Sequence, residues 1–369
     1  LEKPGMAQFV RSDLKSFTSY PAHTSPEFMR EKFGLNPEDI IKLDANENPY
    51  GCSPGVSRAL KADLSYSIYP DALQTQLRRQ LSIYTAVAEE RIVAGAGSDQ
   101  LIDLIIRLVV NPGDEIINLP PTFAMYSFYA RLSRAAVIEI KRDDSFDFSA
   151  DAVEKHITPR TRLIFLANPN NPSGNATARQ KIIRLLQTGV LVVVDEAYYE
   201  FSKETVMPLV EQYDNLVVLR TFSKWAGLAG LRIGYGVFPV ELAEYMLRIK
   251  DPYSINVAAQ IAAVESLKDR DLLLGRVDSI IMERERLSGR LQQIEGVSPL
   301  PSKANFILCR IDNGHAARLA GELKSRGILV RYFNSPGLDS CIRISVGKPV
   351  HNEILLDTLV EIMAEVSQC

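Results

Sequence analysis

Between residues 94 and 236 the chain alternates short apolar, largely β-branched runs with longer stretches of helical periodicity. The runs 115–119, 162–167, 190–194 and 216–219 predict strands, and 100–110 predicts a helix. Leu191-Val-Val-Val194 and Leu216-Val-Val-Leu219 are apolar at every position. Strands of this kind must be covered on both faces, as in a mainly parallel sheet flanked by helices. Such α/β sheets bind ligands beyond the carboxyl ends of their strands. Polar residues follow these runs closely: Asn171, Asp195 and Lys224. From about Asp271 the pattern changes to a charged amphipathic stretch, 276–293, and then to strand candidates at 306–311, 328–332 and 341–346. The expected organisation is an N-terminal arm with part of a small domain (1–40), a large domain (41–272) and a C-terminal small α/β domain (273–369).

Composition narrows the chemistry. Lys and Arg number 42 against 45 Asp and Glu, so a net charge of -3 offers no broad basic surface for nucleic acid or an anionic membrane. The apolar runs are too short to cross a bilayer, and the first residues lack the apolar centre of a secretory signal. Cys52, Cys309, Cys341 and Cys369 are scattered, with no CxxC pair, and the expected location is a reducing cytoplasm. His23, His156, His315 and His351 are equally dispersed, and no metal site is expected. Small-molecule chemistry remains.

The segment Thr221-Phe-Ser-Lys224, with Arg232 eight residues on, joins hydroxyls, an amine and a guanidinium just after a strand. An amine attacks an aldehyde once desolvation and nearby positive charge lower its pKa, and Thr221, Ser223 and Arg232 suit a phosphate. An isolated lysine would simply be solvated; the surrounding residues favour chemistry. Asp195 ends an apolar strand, where a carboxylate needs a cationic partner such as a protonated ring nitrogen. Gly95-Ala-Gly97-Ser98-Asp99 opens the helix over 100–110, and the free amides of a helix start attract phosphate, although Ser98 or Asp99 serves equally well as an N-cap. Phe123 either stacks on an aromatic ligand or fills a core. Asn168-Pro-Asn-Asn171-Pro-Ser-Gly174 is a dense turn cluster at a strand end.

In order along the chain, Gly97-Ser98-Asp99, Phe123, Asn171, Asp195, Tyr198, Lys224 and Arg232 resemble the fold type I pyridoxal-phosphate-dependent aminotransferases. Leu43-Asp-Ala-Asn-Glu-Asn-Pro-Tyr-Gly51, Tyr69-Pro-Asp71 and Cys341-Ile-Arg-Ile-Ser-Val-Gly347 are most similar to the histidinol-phosphate aminotransferase family among them. The resemblance implies pyridoxal 5'-phosphate held by Lys224 as a Schiff base, with Asp195 on the ring nitrogen and Asn171 and Tyr198 at the ring oxygen. Phe123 is expected to stack on the ring. Gly97, Ser98, Thr221, Ser223 and Arg232 are expected to hold the cofactor phosphate, with Tyr69 reaching it in the other subunit of a homodimer, and Asp99 is expected among the cofactor-binding residues. Arg331 and Arg343, helped by Tyr20, are expected to bind the anionic part of the substrate. The implied reaction exchanges the amino group of L-histidinol phosphate with 2-oxoglutarate, in histidine biosynthesis. Rivals on the same fold are an aromatic-amino-acid aminotransferase, a phosphothreonine-decarboxylase-like enzyme and a noncatalytic module that binds the cofactor. Phe123 stands where many relatives carry tyrosine, and Gln100 where glutamate is frequent.

Overall fold

A computed structural model of the chain describes residues 9–15, 17, 26–62 and 64–366. Seven strands form the larger sheet: β2 (Ile92–Gly95), β3 (Glu115–Asn118), β4 (Ala136–Glu139), β5 (Thr161–Ala167), β6 (Leu191–Asp195), β7 (Leu216–Thr221) and β8 (Gly234–Val237), where β1 belongs to the smaller sheet below. Their order is β2-β8-β7-β6-β5-β3-β4, and β8 alone runs antiparallel to its neighbours. The all-apolar runs lie at the centre, as their composition requires. Side chains alternate between two cores. Val192, Val194, Leu216 and Val218 pack on one face with the helices Thr75–Thr85, Arg179–Gln187 and Val257–Lys268. Val193, Val217, Leu219 and Phe165 pack on the other with the helices Gly97–Val109, Met125–Leu132 and Val240–Ile249. Each such fully buried aliphatic side chain stabilises the fold by about 1.5–3 kcal/mol.

The smaller sheet contains β1 (Ile41–Leu43), β9 (Val297–Pro299), β10 (Phe306–Ile311), β11 (Ile328–Tyr332) and β12 (Cys341–Ser345), in the order β1-β11-β12-β10-β9. β1 pairs in parallel with β11. Residues 41–43, expected to open the large domain, therefore lie in the sheet built by the C-terminal residues. The 22-residue helix Arg270–Leu291 also departs from the expected boundary. Its first half gives Leu273, Val277 and Ile280 to the core of the larger sheet, whereas Leu287 and Leu291 enter that of the smaller one.

Period-2 alternation carries through to the strand ends and decides which polar groups meet. Asp195 and Thr221 continue the face of Val193 and Leu219. Glu196 and Arg220 continue the face of Val192 and Val218.

Candidate active site

A cavity of about 1160 Å³ opens where the carboxyl ends of β5, β6 and β7 face the smaller sheet. It is lined by Ser98, Phe123, Asn171, Asp195, Tyr198, Thr221, Ser223, Lys224, Arg232, Arg331 and Arg343, so strand ends more than two hundred residues apart in sequence share one space.

Asp195 is buried at the last position of β6. Its Oδ1 accepts the Ala197 N–H at 3.0 Å and its Oδ2 accepts the Tyr126 hydroxyl at 2.8 Å. None of the ion pairs among the described residues involves it. Burial raises its pKa to about 6; the Tyr126 and Ala197 hydrogen bonds pull it back, and the charges of Asp99 and Glu196 push it further up. At neutral pH the group is a carboxylate held by neutral donors, poised for a cation.

Lys224 follows β7, and its ammonium donates to the Ala45 carbonyl at 3.0 Å. Burial lowers its pKa to about 8, with the positive charge of Arg343 next in effect and that of Arg232 smaller, against Glu47 and Asp99. Desolvation acts as the sequence led one to expect, but the nearby positive charge comes more from Arg343 than from Arg232. An amine so placed is an available nucleophile and base near neutral pH.

At the start of the helix Gly97–Val109 a concave anion cradle is built. Gly97 has φ +78°, and a Cβ on it would lie 2.8 Å from Arg232 Nη2, so the close approach of the guanidinium depends on glycine. The N-cap position is Ala96, without a side-chain cap. Ser98 and Asp99 do not cap this helix; Asp99 instead accepts from Arg232 Nη2 at 2.6 Å. The Thr221 hydroxyl donates to Ser223 Oγ at 2.9 Å and accepts the Ser223 N–H at 3.0 Å. Helix-end amides, three hydroxyls and a guanidinium form a donor set suited to a phosphate ester. Phe123 lines the cavity edge-on to Tyr126, with ring centroids 5.5 Å apart.

The smaller sheet supplies the facing wall. Arg331 on β11 and Arg343 on β12 are direct cross-strand partners, which sets two guanidinium side chains on one face. Arg343 donates to Asn171 Oδ1 at 2.5 Å and to the Asp44 carbonyl at 2.6 Å. Tyr198 accepts from Asn46 Nδ2 at 2.9 Å.

The aminotransferase class I and II family matches residues 38–361. This chain belongs to that family. The aminotransferase is 50% identical over 356 residues to a histidinol-phosphate aminotransferase of Dehalococcoides mccartyi, with 96% of this chain and 98% of that one covered. It is 49% identical to one of Roseiflexus castenholzii, over 96% and 98% of the two chains. Among solved structures it is similar to a histidinol-phosphate aminotransferase of Sinorhizobium meliloti in complex with pyridoxal-5'-phosphate, at TM-score 0.87, 26% identity and coverage of 97% and 98%.

Tyr69, expected to reach the other subunit's site, does not line the cavity of its own chain in this aminotransferase. Tyr69 is 76% exposed and stacks on Tyr253, with centroids 4.4 Å apart. Tyr20 lies outside the described residues. Three residues at the site escaped the sequence reasoning. Asn46 holds Tyr198 and receives the Ser345 hydroxyl, tying the two sheets together. Asn48 donates to the Lys224 and Trp225 carbonyls at 3.1 and 2.9 Å. Tyr126 holds Asp195. The polar run from Asp44 to Asn48 directly after an apolar strand was a usable signal for the first two; nothing local marks the third.

Proposed function

We propose that this aminotransferase carries the amino group of L-histidinol phosphate to 2-oxoglutarate, giving imidazole acetol phosphate and L-glutamate in histidine biosynthesis. The observation that carries the reading is the full-length likeness, at 50% identity, to a relative of that name. The geometry accords with it. Two neighbouring guanidinium groups on the facing wall suit a substrate that ends in phosphate and, in the second half-reaction, a dicarboxylate.

The cofactor is pyridoxal 5'-phosphate, which when bound supplies an aldehyde for the travelling amino group and a ring that draws electrons from the substrate's Cα. Lys224 would hold it covalently, and its amine, when free, would serve as the base and acid that moves the substrate's Cα proton. Asp195 accepts the ring N–H and keeps that nitrogen protonated. Gly97, Ser98, Thr221, Ser223 and Arg232 hold the phosphate, while Asp99 orients Arg232. Phe123 lies against the ring, and Asn171 and Tyr198 hold the ring oxygen. Arg331 and Arg343 bind and orient the substrate anion, with Tyr20 assisting.

The working unit is a homodimer in which Tyr69 completes the phosphate site of the second copy. Tyr66, Ile68, Tyr69 and Leu73 are each more than half exposed, and Tyr69 stacks on Tyr253; this exposed apolar surface on residues 66–73 supports the assembly. The larger sheet with the helices packed on it acts as the cofactor-binding part and the smaller sheet as the substrate-closing part. The protein works in the cytoplasm, a location supported by free Cys52, Cys309 and Cys341.

The test is a steady-state comparison of histidinol phosphate, phenylalanine and tyrosine as donors to 2-oxoglutarate. Histidinol phosphate is expected to give the highest kcat/KM; a higher value for either aromatic amino acid overturns the substrate assignment.

A further inference from the structure

Tyr126 reaches Asp195 from the helix Met125–Leu132, 69 residues away in sequence. It is wholly buried. Its ring lies flat on Phe165 of β5, with centroids 4.7 Å and planes 1° apart, and meets Phe123 edge-on at 81°. The phenol therefore touches both residues expected to contact the cofactor ring: Asp195 through its hydroxyl and Phe123 through its edge.

We propose that Tyr126 is the positioning residue of this site, fixing the rotation of the Asp195 carboxylate through its hydroxyl and the tilt of Phe123 through its ring. This rests on the reading of Asp195 as the partner of the cofactor's ring nitrogen. The terminal torsion of aspartate is broad and roughly two-fold, so one hydrogen bond from Ala197 does not by itself fix the carboxylate plane. A second donor on the other oxygen does, and leaves lone pairs for a ring N–H. A neutral phenol orients the anion without cancelling its charge, whereas an arginine there would compete with the ring. The phenol stays a donor at every working pH, because burial and the neighbouring Asp195 charge hold its pKa well above the ordinary value. The charged and titratable groups that act on this pair are Asp99, Glu196, Tyr198 and Arg142.

The test uses the holoenzyme with Tyr126→Phe, which keeps the stacked ring and removes one oxygen. Expected are a fall in kcat on the order of tenfold and KM values within about twofold. The pH midpoint of the bound cofactor's visible absorbance should also shift. In the cofactor-free protein, 13C NMR should show the Asp195 carboxyl titrating at a higher pH in the variant. A double-mutant cycle separates action through Asp195 from independent action: in an Asp195→Asn background, Tyr126→Phe should cost nothing further. Unchanged absorbance and carboxyl midpoints, or losses that multiply in the double variant, overturn the proposal. Should Tyr126→Phe fail to fold, Phe165→Leu, which loosens the same ring, must shift the absorbance midpoint in the same direction. If Asp195→Asn alone leaves kcat and absorbance unchanged, the reading of Asp195 itself fails; if only Tyr126→Phe is silent, that reading stands and the positioning role falls.

Discussion

Asp195 and Glu196 are consecutive residues with opposite fates, because the alternation of β6 sends them to opposite faces of the sheet. On the rear face Glu196 Oε2 takes two hydrogen bonds from Arg220, at 3.0 and 2.8 Å, while its Oε1 accepts the Val206 N–H at 2.7 Å. Arg220 also donates to Thr205 Oγ1 at 2.8 Å and lies 3.5 Å over the Tyr199 ring. That pair is buried and internally satisfied. On the cavity face Asp195 has two neutral donors and, among the described residues, no ion pair. A buried carboxylate matched by a cation cannot lose that partner without a large cost, whereas one left with neutral partners is costly unless a ligand supplies the charge. The same residue class thus serves architecture on one face and chemistry on the other.

The largest effect expected of that division is at Lys224. Lys224→Ala should lower turnover by at least about 10²–10⁴-fold and leave denaturant stability nearly unchanged. Borohydride reduction of the unmodified holoenzyme followed by peptide mass mapping should find the pyridoxyl group on Lys224; another lysine would refute the assignment. Next comes the neighbouring pair itself. Asp195→Asn should lower kcat by about 10²–10³-fold with little change in urea midpoint. Glu196→Gln should do the reverse, costing about 3 kcal/mol by leaving Arg220 uncompensated, with near-normal kcat in the folded fraction. Equal stability losses from the two substitutions would break the comparison.

Arg331→Ala and Arg343→Ala should each lower single-turnover efficiency with histidinol phosphate by about 10–100-fold, the equivalent of about 1.5–3 kcal/mol. Histidinol, which lacks the phosphate, should suffer far less. Arg343 should also cost more structure than Arg331, since it braces Asn171 and the Asp44 carbonyl.

The smallest effect is on the pH dependence of the cofactor-free protein. Asp195 is raised from 3.8 to about 6 and, on the rear face, Glu200 from 4.5 to about 7, burial being the main cause in each. Both bind protons more tightly folded than unfolded. Their contribution is therefore fully present below about pH 4 and is lost as pH rises through 6 to 7. Urea midpoints measured across that window should fall, and Asp195→Asn should flatten the part of the slope that saturating pyridoxal phosphate removes in the parent protein.

Much of this division was legible in the sequence. The runs that became β6 and β7 announced a doubly covered sheet because 191–194 and 216–219 are apolar at every position, and Asn171, Asp195 and Lys224 stood out by following the strand runs. β8 did not announce itself. Its Gly-Tyr-Gly-Val reads as a turn, yet Gly236 is a strand residue whose absent side chain makes room for Phe238 and Leu219, either of which would lie within 3 Å of a Cβ. β1 is three residues long and finds its partner 287 positions later, as Ile41 faces Ile328, so no local pattern could assign it to the smaller sheet. Tyr126 was invisible for a similar reason: it looks like a core aromatic until the fold brings Asp195 to its hydroxyl. Tyr69 is exposed and stacks on Tyr253, so the fold of a single chain gives it no place at the cavity.

The helix Arg270–Leu291 crosses from one core to the other without a break. Leu273, Val277 and Ile280 cannot leave their core while Leu287 and Leu291 stay in theirs without fraying a shared rod of about 33 Å, taking 1.5 Å per residue. The shared rod should make heat meet a single cooperative unit, two sheets with one calorimetric melting transition, rather than a half-melted chain in which the cofactor side survives after the substrate side has gone.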